Sequence, residues 1–493
     1  MTEKRTDYIP AFALCAALAV YPLLRGGWDL WSQLAVQLFL LVSVCVWVFL
    51  KLLGRRLPVP PASSLLPACA LLLGFVSVQA SPVYSLARPE YQWWAVSVSL
   101  AFIVPAMSER WRGYALAALL GAGAATVPLA FYQRFLFSGV QAEATGPFFN
   151  ANMYAGYLLM LVPLALLRRK WLFSALLLCG IALSGSRGAW VALVLSSGLW
   201  GLCRLRGKFV PALVLLCCGS AAGYVIWRWG GISMHERLGW WHAALAMIGE
   251  RPLLGFGPGS FEYVFPAFHA QAVDGLSTIY AHSWPLQFAA EYGVPCVLLW
   301  LGWAVSRLRS LDSPYRWAVI TVFLHSIGDF TLNGPAVFFV FCWLLSCGES
   351  RLEEAALPDG RRAFAAAVLV LALSAPLAFG AARPFMAQRR LIAARNSYQS
   401  SYPAHDLDRI KRLVIANPDD ANAALLLASA MADSAYSTGD KSLLAQAAIA
   451  YERALRLNPF RPATYTEMAA LSRALGRPQD AELVLRRREV RFR

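Results

Sequence analysis

A chain of 493 residues that is 58% hydrophobic and only 15% charged is too apolar for a soluble protein, in which about a quarter of residues are charged; its mean hydropathy of +0.51 points the same way. The net charge of +16 does not mark a nucleic-acid binder, because the basic residues gather in short loops between apolar runs, where the positive-inside rule puts them. All ten cysteines lie in or at the edge of such runs, which leaves neither a disulfide framework nor a cysteine metal site.

The chain opens on MTEKRTDYIPAFALCAALAVYPLL, a charged head and an apolar run without a small-residue cleavage motif, and this reads as a retained first span. A spanning helix needs about 20 mostly apolar residues. On that measure spans are expected over residues 8–25, 30–51, 64–80, 92–108, 113–134, 150–167, 171–185, 188–203, 209–227, 284–306, 315–330, 334–348 and 363–381. The expected fold class is all-α: a polytopic membrane helical bundle of about 12–13 spans over residues 1–381, then a soluble helical domain over 382–493.

Sidedness follows from the basic residues. With the N-terminus inside, the cytoplasmic segments carry nineteen Lys and Arg, among them Lys51, Arg56, Arg112, Arg168, Arg307 and Arg351, against seven on the other face up to the last span. Residues 228–283 then form one large outward loop, and the tail from 382 is outward too. From about residue 404 the tail reads as amphipathic helices. The stretches beginning at Asn417 and Asn458 look related and resemble tetratricopeptide helix pairs, with the extra length near Ser437–Ser442. So short a repeat array has to lean on the membrane domain, on the helix before it, or on a protein partner; a plain helical cap is the simpler alternative.

Ionisable and polar residues near a membrane core are costly and usually functional. GPFFNANMYAG, from Gly146, opens a span: Asn150 suits a helix cap, while Asn152 and Tyr154 are candidates to face a polar cavity. LSGSRGAW, from Leu183, puts Ser186 and Arg187 at a helix start on the outer side. There Arg187 breaks the positive-inside trend, and a guanidinium beside free backbone N–H groups suits a diphosphate. The outer loop carries Arg237, Trp240 and Trp241 on an amphipathic helix, then Arg251 and the glycine-rich stretch LLGFGPGSF, which has neither the strand nor the lysine of a phosphate-binding fingerprint. His282 stands just before a span. A lone histidine is as a rule structural, but Gln287 and Glu291, about one and two turns on, make a polar helix face here. His325 and Asp329 sit near the outer half of a later span, where a cavity-lining pair and a helix-packing pair read alike.

In this order, GPFFNANMYAGYL, SGSRGAW, the loop pattern from Arg237 to PLLGFGPGSF, AHSWPLQFAAEYG and the later HSIGDFTLNGPAVFFVFCWLLSCG resemble the O-antigen ligase and polymerase superfamily of bacterial inner-membrane glycosyltransferases, over roughly residues 10–350. The resemblance implies a GT-C-like membrane fold in the inner membrane, with its site and tail facing the periplasm. It implies a donor glycan on undecaprenyl diphosphate, and catalytic roles for Arg187 and Arg237 on the diphosphate and for His282 as the base that activates the acceptor hydroxyl. The family's usual His-Asn dipeptide is His-Ser here, which leaves Ser283 without an assigned role. Asn152, Tyr154, Ser186, Arg251 and Gln287 are the accompanying substrate-binding candidates. No cofactor, no metal and no nucleic acid is expected; the partners are the lipid-linked glycan and membrane lipids.

The acceptor stays open between lipid A core for a ligase, another glycan unit for a polymerase, and protein for an O-oligosaccharyltransferase. A polysaccharide or lipid transporter or flippase is the alternative of another class. No two-fold repeat of the spans supports it, and the polar residues gather at the outer face rather than at mid-membrane.

Overall fold

The structure, a computed structural model, describes residues 5–137, 143–204, 231–269, 278–400 and 407–492. Helices α1 (Tyr8–Val20), α2 (Leu30–Leu53), α3 (Leu65–Gln79), α4 (Tyr84–Val98), α5 (Glu109–Phe131), α6 (Ala151–Leu167), α7 (Trp171–Ser184) and α8 (Arg187–Arg204) come first. Then come α9 (Gly231–Glu250), α10 (Trp284–Tyr292), α11 (Val294–Ser310), α12 (Ser313–Ile327), α13 (Pro335–Ser346) and α14 (Gly360–Ser400). The chain is an all-α, multi-pass membrane bundle. Among the described residues, Leu30–Leu53, Ala62–Gln79, Glu109–Leu136 and Gly360–Tyr398 are by themselves long and apolar enough to cross a membrane.

The shorter apolar helices are explained by their position. Every residue of α13 is buried, as are fourteen of the seventeen in α6. A helix that is hydrophobic all round belongs in a core, and neighbours that shield its ends let it be short. Trp300 of α11 stacks on Phe338 and Phe341 of α13. Outward-facing Phe12, Leu72, Leu298 and Phe379 are exposed, as side chains that meet lipid should be.

Three elements differ from expectation. The span expected over 284–306 is two helices, broken at Gly293 (φ +81°), where a Cβ would collide with the backbone of Leu253 and where Val294 N donates to Pro252 O at 2.8 Å. The span expected from residue 92 starts at Tyr84, because its polar first turns find partners: Arg88 and Gln92 both donate to Gly380 O of α14, at 3.3 and 2.9 Å. The run expected to end at 381 continues unbroken to Ser400. The expected span 209–227, with Arg228, lies outside the described residues.

The loops assigned to one face meet there. Strand β1 (Arg56–Val59) pairs antiparallel with β2 (Glu353–Ala356), a small sheet that the all-α reading did not include. Lys51 holds both Asp7 and Glu354 at 2.5 Å. Glu349 is buried, accepting from Arg307 at 2.9 Å, from Trp303 Nε1 at 2.7 Å and from Ser63. At the other end of α12, Gly328 O accepts from Arg237 Nη1 at 2.9 Å. Helix α8 runs from this second face to the first, where Trp200 Nε1 donates to Ser313 Oγ at 2.9 Å. The described residues on either side of 205–230 therefore lie on opposite faces, and Arg187, Arg237 and His282 share one.

The tail comprises α15 (Leu407–Ala416), α16 (Ala421–Thr438), α17 (Lys441–Leu457), α18 (Pro462–Ala474) and α19 (Pro478–Arg491). Asp420 and Asp440 cap α16 and α17 through backbone N–H groups at 2.8–3.2 Å. Helix α16 has 18 residues and α18 has 13. The tail leans on the membrane domain, with Phe460 buried in a cluster that includes Phe256, Phe261 and Phe265 of the outer loop.

Glu349→Ala removes the buried carboxylate that pairs with the part-buried Arg307 guanidinium, and breaking such a pair costs about 3 kcal/mol. Thermal unfolding in detergent should show a clear drop in midpoint for Glu349→Ala and a smaller one for Glu349→Gln, which keeps an acceptor for Trp303; equal midpoints in all three proteins would contradict this role.

Candidate functional site

The site is built around a buried carboxylate at the end of α12. Asp329 is 4% exposed. Its Oδ2 accepts from Asn152 Nδ2 of α6 at 2.8 Å, and its Oδ1 accepts from Phe330 N at 2.8 Å and from Thr331 Oγ1 at 3.1 Å. Its backbone carbonyl accepts from Trp284 N at 3.0 Å, which fixes the start of α10. Thr331 Oγ1 also lies 2.9 Å from His325 Nδ1. The turn after α12 approaches α6 this closely because Gly156 has no side chain: a Cβ there would collide with Thr331. Asn150 caps α6, its Oδ1 accepting from Asn152 N at 2.7 Å, which turns the Asn152 amide toward Asp329.

Helix α9 of the outer loop closes over this centre. Besides the Arg237 bond to Gly328 O, Trp241 Nε1 donates to His282 O at 3.3 Å. The His282 imidazole is stacked on Trp240, with centroids 4.7 Å apart, and meets the edge of Phe330, also at 4.7 Å. Its backbone is in the left-handed region at φ 52°, a conformation that costs a non-glycine residue about 1–3 kcal/mol and that clusters at functional sites. Its Nδ1 is buried without a hydrogen-bond partner. Burial pushes the imidazole pKa down to about 4; the Asp329 carboxylate pulls it up and the Arg237 guanidinium pushes it down further. At neutral pH the ring is therefore uncharged and carries a nitrogen lone pair.

Arg187 begins α8. Ser186, 5% exposed, caps that helix through Oγ, which accepts from Ala189 N at 3.4 Å. Arg187 is exposed and forms no hydrogen bond or ion pair among the described residues. Its neighbour Gly188 sits against the His325 ring, 3.3 Å from where a Cβ would stand. The geometry thus gathers Asn152, Arg237 and His282 around the Asp329 turn, and sets the helix start that carries Ser186 and Arg187 against His325 through Gly188.

It takes Tyr154 and Arg251 elsewhere, and sets Gln287 in the wall of an adjoining cavity. Tyr154 is fully buried in the core, its hydroxyl accepting from Thr126 Oγ1 at 3.2 Å. Arg251 lies over the Phe256 ring at 4.8 Å and donates to Ala80 O at 3.4 Å, which holds the outer loop on α3. Gln287 accepts from Ala281 N at 3.1 Å and donates to Glu291 Oε1 at 3.0 Å, so it braces the residue before His282. The glycine-rich stretch wraps the Glu291 carboxylate, which accepts from Gly259 N and Phe261 N. Gly255 and Gly259, both at φ +63°, are needed there because a Cβ would collide with the Glu291 backbone in the one case and with the Glu90 side chain in the other. His325, Asp329, Thr331 and Phe330 are the site residues that the sequence reading left undecided or passed over. The signal was His-x₃-Asp-x-Thr in HSIGDFT, which sets the histidine in the last turn of α12 and the carboxylate and hydroxyl in the turn that follows.

Chemically, the arrangement offers one neutral imidazole, one guanidinium held beside it, and a second at a nearby helix start. That set can take a proton from a hydroxyl and offset negative charge on a phosphate group.

No curated protein matches the chain. Residues 172–301 match the model of a family described as O-Antigen ligase. The matched stretch contains Arg187, Arg237, His282 and Gln287, and ends before His325 and Asp329. The resemblance of this membrane chain to the O-antigen ligase superfamily is thus shown over its central quarter, the part that carries the two arginines and the histidine.

Proposed function

We propose that the protein is a glycosyltransferase of the O-antigen ligase type, which moves a glycan from an undecaprenyl-diphosphate donor to an acceptor hydroxyl on lipid A core at the periplasmic face of the inner membrane. The observation that carries the reading is the uncharged, unpartnered imidazole of His282 beside Arg237, on the face where exposed Arg187 starts a helix. The donor brings a good leaving group, and the chemical demand is to offset the charge that grows on the diphosphate as the glycosidic C–O bond breaks. Arg187 and Arg237 supply that positive charge without metal. His282 takes the acceptor proton as the new C–O bond forms, and attack from the side opposite the diphosphate inverts the anomeric carbon. Asp329 and Asn152 act as positioning residues, holding α6, α10 and α12 together under the imidazole. The tail covers the outward face, where a protein partner can also dock.

The direct test is reconstitution with a lipid-diphosphate glycan and, separately, lipid A core, further donor, or a serine-containing peptide. Transfer to lipid A core alone is expected; transfer only to donor or to peptide would replace the ligase reading by the polymerase or the protein-glycosylating one. Arg187→Ala and Arg237→Ala should each lower turnover by about a hundredfold or more, and His282→Ala by about a hundred- to ten-thousandfold, with normal expression. Full activity in His282→Ala would remove the base assignment. Transfer should survive chelation and give the inverted anomer; loss of activity in chelator, or a retained anomer by NMR, would overturn those parts of the mechanism.

The pH profile gives an independent check. With the imidazole held down to about 4, the acid limb of kcat/KM should lie well below the ordinary histidine value of 6.5. The limb of kcat should lie higher, because a bound anionic diphosphate favours the imidazolium. An acid limb of kcat/KM at 6.5 would mean that a different group titrates.

A further inference from the structure

Close to His282 lies a cavity of about 180 Å³ whose lining includes Trp28, Glu90, Trp94, Glu262, Tyr263 and Tyr280. It adjoins the imidazole through two aromatic contacts: Tyr280 stacks on Phe330 at 4.5 Å, and Phe330 meets the His282 ring at 4.7 Å. Two side chains in its wall lack partners. Trp94 is 2% exposed and its indole N–H is unpaired, and the Asn333 amide nitrogen is buried and unpaired. Buried donors are normally satisfied, so these two point to a ligand that brings acceptors. Glu262 has no hydrogen-bond partner among the described residues and offers acceptors in turn. Trp28, Glu90 and Tyr263 also line a second hollow, of about 400 Å³, that runs out beneath the tail past Arg383 and Asp420.

We infer that this cavity is a saccharide subsite for the acceptor, with its terminal sugar between Trp28, Glu90, Glu262 and Tyr263 and the rest of its glycan in the hollow beneath the tail. A sugar matches the wall on every count. Its hydroxyls donate to carboxylates and accept from the Trp94 and Asn333 N–H groups, and the apolar face of its ring packs on aromatic side chains. An aromatic hollow with a few placed polar groups is the usual form of a small-ligand site. The carboxylates of Glu90 and Glu262 also disfavour a diphosphate there, while both arginines assigned to it lie on the Asp329 and His325 side. Among the described residues no three His, Cys, Asp or Glu side chains are placed to hold a metal ion, so the carboxylates are disposed for hydroxyls. The charge division separates the uncharged terminal sugar of the acceptor from the anionic donor.

The inference rests on the transferase reading and is tested apart from it by binding alone. The full-length protein in lipid nanodiscs is titrated calorimetrically with core oligosaccharide released from lipopolysaccharide, and separately with undecaprenyl diphosphate. Glu262→Gln and Trp28→Ala should each weaken the oligosaccharide by about tenfold, the effect of losing one charge-assisted hydrogen bond or one stacking face, and leave undecaprenyl diphosphate unchanged. Glu262 is exposed and Gln matches its shape, so this variant keeps the fold. The subsite is overturned if the wild-type protein does not bind the oligosaccharide, if both variants bind it as the wild type does, or if they lose undecaprenyl diphosphate by the same factor. Failure of undecaprenyl diphosphate to bind the wild type overturns the donor assignment instead, and leaves the oligosaccharide titrations to decide the subsite.

Discussion

The arrangement around His282 and Arg237 depends on the Asp329 carboxylate. It is buried at the end of α12, and a buried carboxylate is tolerated only where hydrogen bonds replace the water it has lost. Here Asn152, Phe330 N and Thr331 provide them, and each arrives from a different constraint: α6 from its Asn150 cap, Thr331 through the gap left by Gly156, and Phe330 from the turn itself. Because Trp284 N is bound to the Asp329 carbonyl, the start of α10 and hence the peptide that carries His282 are fixed by the same residue. Arg237 is fixed one residue earlier, on Gly328 O. A group of polar residues that are far apart in sequence is thereby organised by one turn of chain.

The reach of this turn explains what the sequence could and could not display. Hydrophobic runs and basic loops carry the spans and their sidedness, since both are set by local transfer energies. Arg187 and His282 stood out as polar residues at apolar boundaries. What local pattern does not carry is which buried polar side chains meet. His325 and Asp329 at a helix end are equally a packing pair or a site, and only the contact with Asn152, 177 positions earlier, decides between them. Tyr154 shows the converse. It follows Asn152 by two residues and looked as polar, but on a helix two residues point to different faces, and its hydroxyl goes to Thr126 in the core. The break at Gly293 was hidden for a related reason: the apolar run continues through it, and only the backbone of Leu253 pressing from the loop demands the glycine.

The outer loop is likewise held by carboxylates rather than by its apolar residues alone. Glu291, deep in α10, gathers Gly259 N, Phe261 N and Gln287 around itself. The packed aromatic cluster of Phe256, Phe261 and Phe265 then receives Phe460 from the tail. The tail therefore bears on the outer loop at the very segment that lines the cavity beside His282, and the loop, the cavity and the tail form one packed unit over the membrane bundle.

The state of His282 is the clearest departure from what stability alone would select. Its left-handed backbone costs about 1–3 kcal/mol, and a buried nitrogen without a partner costs about 1–3 kcal/mol more. For packing alone between Trp240 and Phe330 an apolar ring would do as well as a histidine and would avoid the second cost. A charged imidazole would be worse still, since burial and Arg237 both oppose it. The arrangement instead holds the ring neutral, oriented by stacking, with its nitrogen left unpaired. Those are the properties wanted in a base that meets an incoming hydroxyl beside a guanidinium, and they follow from the same turn at Asp329 that holds the two sides of the site together.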